Sequence, residues 1–142
     1  MFVSMQIEAM QVGIYCDIIQ NLLVKHRSLS IVKIITFAFI IKKIRFLNIN
    51  YYSGHNKTDL VLKFISQAQG CYEELCKHIT YILQAVDLLL KNDIFELHET
   101  EIICKLPANW DVLDYGAFTN AAIAESRNYT NRQFWKEVIN IV

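Results

Sequence analysis

The strongest constraint on this chain is an uncharged, almost wholly apolar run, IITFAFII at residues 34–41, closed by Lys33 on one side and Lys42 on the other. Such a run has to be covered on every side. It falls well short of the roughly 20 apolar residues that a membrane-spanning helix needs, so protein rather than lipid is expected to cover it. Its β-branched content hides the difference between a buried helix and a buried strand, because neither period stands out. The length of the wider segment, residues 30–46, favours a helix with Ser30 as its N-cap.

Hydrophobic residues make up 54% of the 142 positions and charged residues 20%. Soluble domains average roughly 45–50% apolar, so the surplus predicts a surface that another protein covers. Residues 1–13 contain Glu8 and no basic residue. That pattern does not read as a signal peptide, and the expected compartment is the cytoplasm.

Periodicity organises the rest as one mainly α domain in three parts, residues 1–47, 57–106 and 107–142. Ile14, Ile18 and Leu22 recur at spacings of four and predict an amphipathic helix over residues 5–24. Residues 48–56, rich in turn formers around Gly54, predict a loop. Thr58 is placed to cap a short helix, Ser66 with Gln69 to start a second, and Thr80 to start a third that ends near Lys91. Residues 94–97 and 102–105 are β-prone runs joined by four residues, as in a hairpin. Three helices and a short hairpin predict a winged-helix-like unit. Beyond Pro107, helices are expected over residues 120–127 and 131–141, the last with Thr130 and Gln133 in capping-box spacing.

Catalytic and metal-binding chemistry find little footing. Cys71 and Cys76 stand five apart, which diverges by about 140° on a helix, and no Cys-x-x-Cys pair occurs. Cys16 and Cys104 have apolar neighbours that suit buried thiols. Four glycines leave no phosphate-cradling Gly-rich loop. No catalytic residue, metal site or cofactor is assigned, and the chain is expected not to be an enzyme.

Binding surfaces are the remaining class. On the third expected helix, Thr80, Gln84, Asp87 and Lys91 form a narrow polar stripe. Ile79, Ile82, Val86, Leu89 and Leu90 suit the core. Tyr81, Ala85 and Leu88 make a surplus apolar flank, which packs inside the chain or meets a partner. Trp110 and Trp135 are further anchor candidates. Residues 1–70 hold eight Lys or Arg against three acids, and residues 71–142 six against eleven. Lys25, Arg27, Lys33, Lys42, Lys43 and Arg45 lie in an acid-free gap, and Lys42, Lys43 and Arg45 form a candidate basic patch for phosphates or an acidic partner. A winged-helix transcriptional regulator using that patch on DNA is the alternative function, although Glu96, Glu99 and Glu101 of the hairpin would repel a phosphate backbone.

The order of segments resembles the middle component of bacterial three-component ABC systems, including Lamassu-type defence operons. The resemblance rests on residues 12–23 (VGIYCDIIQNLL), the apolar run ending in Lys42 and Lys43, residues 64–90, the DIFEL strand at 93–97 and AAIAE at 121–125. It implies a non-catalytic subunit that links an SMC-like ABC ATPase to an effector such as a nuclease, in anti-phage or anti-plasmid defence. It carries over no active-site residue.

Overall fold

The computed structural model describes residues 2–47 and 59–142. The loop expected at residues 48–56 and the Thr58 cap lie outside them. The chain is mainly helical with a small antiparallel sheet. In chain order the elements are α1 (Phe2–His26), β1 (Ser28–Ser30), α2 (Ile31–Leu47), α3 (Leu60–Ser66), α4 (Tyr72–Lys91), β2 (Phe95–His98), β3 (Glu101–Cys104), α5 (Ala117–Ser126) and α6 (Asn131–Ile141).

The ambiguous apolar segment is a helix. Ser30 ends β1 and its hydroxyl accepts a long 3.4 Å bond from Lys33 N, the N-cap role expected of it. Ile34, Phe37, Ala38, Phe39, Ile40 and Ile41 of α2 are all nearly inaccessible. α2 packs against α1, α4 and α6 and reaches α3 through Phe37, which is why no polar stripe interrupts the helix. Phe37 lies 5.2 Å from the Phe64 ring and 5.6 Å from Phe134, joining α2 to α3 and α6.

The expected break at Thr80 is absent. Residues 72–91 form one continuous helix with Thr80 exposed in its middle, because the run contains no Gly or Pro to stop it. Ser66 does not open a helix either; it ends α3, and residues 67–70 form successive turns closed by Gly70 at φ 84°. The hairpin is present, with Phe95 opposite Cys104 and His98 opposite Glu101. A third strand, β1, pairs on the far side of β3, so the sheet order is β1-β3-β2.

That strand ties the N-terminal segment to the hairpin. α1, α2 and α4 pack on one another and β1 joins the hairpin's sheet, so the winged-helix-like arrangement draws its helices from α1, α2 and α4. The turn from α1 into β1 is made at Arg27, whose φ of 72° is left-handed. Its guanidinium holds that turn by donating to the carbonyls of Leu106 (2.6 Å) and Val24 (3.2 Å).

α6 begins as expected. Thr130 Oγ1 accepts from Gln133 N at 3.1 Å and Gln133 Oε1 accepts from Thr130 N at 3.0 Å, a complete capping box.

Candidate interaction surface

α1 divides into two halves of different character. From Tyr15 to Val24 it supplies Tyr15, Ile18, Ile19, Leu22, Leu23 and Val24 to the core. Residues 3–10 are exposed all round, although Val3, Met5, Ile7 and Met10 are apolar and 50–68% exposed. Glu8 is the only charge among residues 1–16. A helix that is apolar on several faces is normally a buried one.

Between this half of α1 and the end of α4 runs a groove of about 510 Å³. Met5, Ala9, Val12 and Cys16, at spacings of four, three and four, line its α1 wall. Leu88, with Gln84 and Asp87, lines the other. Leu88 is 45% exposed. The sequence flank of Tyr81, Ala85 and Leu88 is therefore divided. Ala85 is fully buried under α1, where its carbonyl lies 3.8 Å from Cys16 Sγ, so it offers nothing to a partner. Tyr81 is half-buried and its ring meets His78 edge-on at 5.4 Å. Leu88 alone remains for docking. The exposed α1 residues escaped sequence reasoning because residues 5–24 read as a single core stripe. The signal was present in residues 2–12, where apolar side chains fall on every face.

The second anchor pair also divides. Trp110 is 48% exposed over the C-terminal end of α1 near Val24 and Lys25. Trp135 is half-buried against the core. Of the core candidates on α4, Ile82, Val86 and Leu89 are buried, while Ile79 and Leu90 are partly so. Thr80, Gln84, Asp87 and Lys91 are exposed as expected.

Of the expected basic patch, Lys42 and Lys43 gather beside Glu74 and His78, and Arg45 stands apart. Lys43 forms an ion pair with Glu74 at 2.7 Å. Lys42 is partly buried with Nζ 5.7 Å from the Tyr15 ring centroid, and burial lowers its pKa. Arg45 faces elsewhere, beside Tyr115 and Thr119. The other cations of the acid-free gap are also engaged. Lys25 pairs with Asp114 at 3.3 Å, and Lys33, 6% exposed, donates to the Tyr129 carbonyl at 2.9 Å. Two of the six, Lys25 and Lys43, thus form ion pairs with acids from the second half of the chain, which is what the uneven charge distribution becomes once folded.

Next to the Lys42 and Lys43 side chains, the hydroxyl of the fully buried Tyr15 is hydrogen-bonded to His78 Nδ1 at 2.6 Å. Phe39 and Tyr81 pack edge-on around the same imidazole. Burial, then the nearby lysine charges, hold His78 below its ordinary pKa, with Glu74 opposing. A lowered pKa favours the neutral imidazole in this bond.

Cys76 is exposed, Cys71 and Cys16 are half-buried and Cys104 is buried, all as free thiols. Among the described residues no three His, Cys, Asp or Glu side chains gather as a ligand set, and no helix is long and apolar enough to cross a membrane. Comparison with protein-family models, with curated proteins and with solved structures gives no match to this chain.

Proposed function

We propose that this chain is a non-catalytic bridging or regulatory subunit that holds two larger proteins through surfaces at opposite ends of α1. The carrying observation is the position of its exposed apolar groups. The α1/α4 groove with Leu88 lies at one end of a 25-residue helix, and Trp110 lies over the other. Residues 9 and 24 are separated by about 22 Å at 1.5 Å per residue, enough to keep two partners apart. We take the groove's occupant to be an apolar helix of one partner, because its walls carry few charges and its α1 side repeats at helical spacing. Following the sequence resemblance, that partner is an SMC-like ABC ATPase, and the Trp110 surface meets an effector such as a nuclease, in a cytoplasmic anti-phage or anti-plasmid complex.

Co-purification of the complex with two single variants tests this reading. Leu88→Glu buries an unpaired charge in the groove, which costs several kcal/mol and lowers affinity at least ~100-fold. It should release one partner, and Trp110→Glu should release the other, each with an unchanged thermal melt. Retention of both partners by both variants refutes the proposal.

A DNA-binding regulator is the second reading, favoured by the winged-helix-like order, which puts α4 in the place of a recognition helix. Its charges argue against it. Glu73, Glu74 and Asp87 share the exposed side of α4 with Lys77 and Lys91, and Lys43 is already neutralised by Glu74. Duplex DNA retained by the pure chain with a steep salt dependence would revive this reading.

A further inference from the structure

The α1/α4 groove has a sign as well as a shape. Its two charged residues, Glu8 on the α1 wall and Asp87 on the α4 wall, are both acidic, and no lysine, arginine or histidine lines it. Glu8 is exposed and forms no ion pair among the described residues. Asp87 meets Lys91 at 2.8 Å, one turn further along the same helix, with the two side chains 57% and 71% exposed. An ion pair this open contributes little, and an incoming cation competes with it easily. The charge of the rim therefore falls to Glu8 first and to Asp87 second.

Gly13 adds a feature of shape. It lies in the middle of α1, is exposed on the groove, and a Cβ at its position would meet nothing within 4 Å. Its φ is not positive, so neither the backbone nor packing inside the chain asks for glycine there. A glycine in a helix interior costs stability relative to alanine. What it provides here is a shallow notch, one turn from Ala9, where the backbone of another helix can come close.

These features select among the occupants of an apolar groove. A second copy of the chain would present its own exposed half of α1, where the only charged side chain over residues 1–16 is Glu8, so acid would face acid. An anionic lipid surface meets the same repulsion. A helix of another protein with lysine or arginine beside its apolar stripe meets none.

We propose that the groove takes such a basic amphipathic helix, with its apolar stripe against Met5, Val12 and Leu88, its backbone crossing close to Gly13 and its cations at Glu8 and Asp87. The proposal rests on the reading of this groove as a partner-binding surface and adds the chemistry of the partner.

Fluorescence anisotropy of the full chain with a labelled synthetic helix of about 18 residues tests it, the helix having leucines at i, i+3, i+4 and i+7 and lysines along both borders of that stripe. A twin with glutamate in place of every lysine is the control. The lysine peptide should bind with a Kd on the order of 10 μM or tighter at low ionic strength, and the glutamate twin at least ~10-fold more weakly. Glu8→Lys combined with Asp87→Lys should reverse that preference at a melting temperature within about 2 °C of the parent's, since both side chains are exposed. Gly13→Leu should weaken the lysine peptide about 10-fold without lowering the melting temperature, because it fills the notch with a better helix former. Equal binding of the two peptides, binding of neither, or an unaltered preference in the charge-reversed variant overturns the proposal. Leu88→Glu still decides by co-purification whether the groove holds the native partner, so the two readings fail separately. A dimer of the pure chain that Leu88→Glu dissociates would put a second copy in the groove, and retention on phosphatidylserine vesicles lost in the same variant would put a membrane there; either result overturns the proposal.

Discussion

Arg27 offers a way to separate a strained backbone from the side chain that holds it. Its φ of 72° lies in the left-handed region, which costs a non-glycine residue roughly 1 kcal/mol. Its N–H donates to Leu23 O at 2.8 Å, closing α1, and its carbonyl accepts from Cys104 N at 2.8 Å, joining the start of β1 to β3. The guanidinium donates to Leu106 O at 2.6 Å and Val24 O at 3.2 Å, with a weaker 3.4 Å approach to Cys104 O. Charged-group hydrogen bonds contribute about 1.5–3 kcal/mol each. Counting the two good ones and discounting for partial exposure, Arg27→Ala should cost about 2–3 kcal/mol. Arg27→Gly loses the same bonds and relieves the strain, so it should cost about 1 kcal/mol less. At this chain length that difference is roughly 3–5 °C in melting temperature. Thermal or urea melts of the three proteins measure it. An alanine variant as stable as the parent would refute the clamp, and a glycine variant no better than alanine would refute the strain.

Three other outcomes follow from particular contacts. Phe37→Ala empties the junction between Phe64 and Phe134 and should cost about 3–5 kcal/mol in a urea melt, more than any other single truncation in α2. His78 and His26 both have pKa values lowered chiefly by burial, so the folded state resists their protonation and stability is complete above the unfolded value of about 6.5. Melting temperature should therefore fall as pH drops from 7 to 5, and His78→Phe should flatten part of that slope; a melt that rises on acidification contradicts this. The isolated chain should self-associate through residues 3–10, and Ile7→Lys with Met10→Lys should shift light scattering towards a monodisperse species at unchanged helicity.

The elements most legible in the sequence were those fixed by local chemistry. Thr130 and Gln133 started α6 where their spacing said, since a capping box is settled within four residues. The helix at residues 31–47 was legible from length and its Ser30 cap. Thr80 misled because Thr is a cap only where the chain has reason to stop; here Ile79 and Tyr81 pack inward on either side and helix continuation satisfies every backbone group. β1 was invisible for the opposite reason. Three residues, Ser28, Leu29 and Ser30, carry no periodic signal, and they are a strand only because Ile102 and Ile103 of β3 lie beside them in space.

The same division between local and distant causes governs the candidate sites. Leu88 was recognisable because α4 carried more apolar arc than one core face needs, but which part of that arc stays uncovered depends on where α1 crosses it. α1 buries Ala85, engages Tyr81 through the His78 cluster and leaves Leu88 exposed, and Met5, Ala9, Val12 and Cys16 line the groove that ends on that same leucine. The cations illustrate the point from the charged side. Lys42, Lys43 and Arg45 are neighbours in sequence, yet an α-helix turns about 100° per residue, so Lys42 and Lys43 share the surroundings of Glu74 and His78 while Arg45 is delivered elsewhere. Glu74 takes Lys43, the Tyr15 ring faces Lys42, and Arg45 alone reaches the mouth of α5. A basic cluster read along a chain is thus a statement about composition; only the partners that folding brings to each member decide which charge is left to act on a ligand.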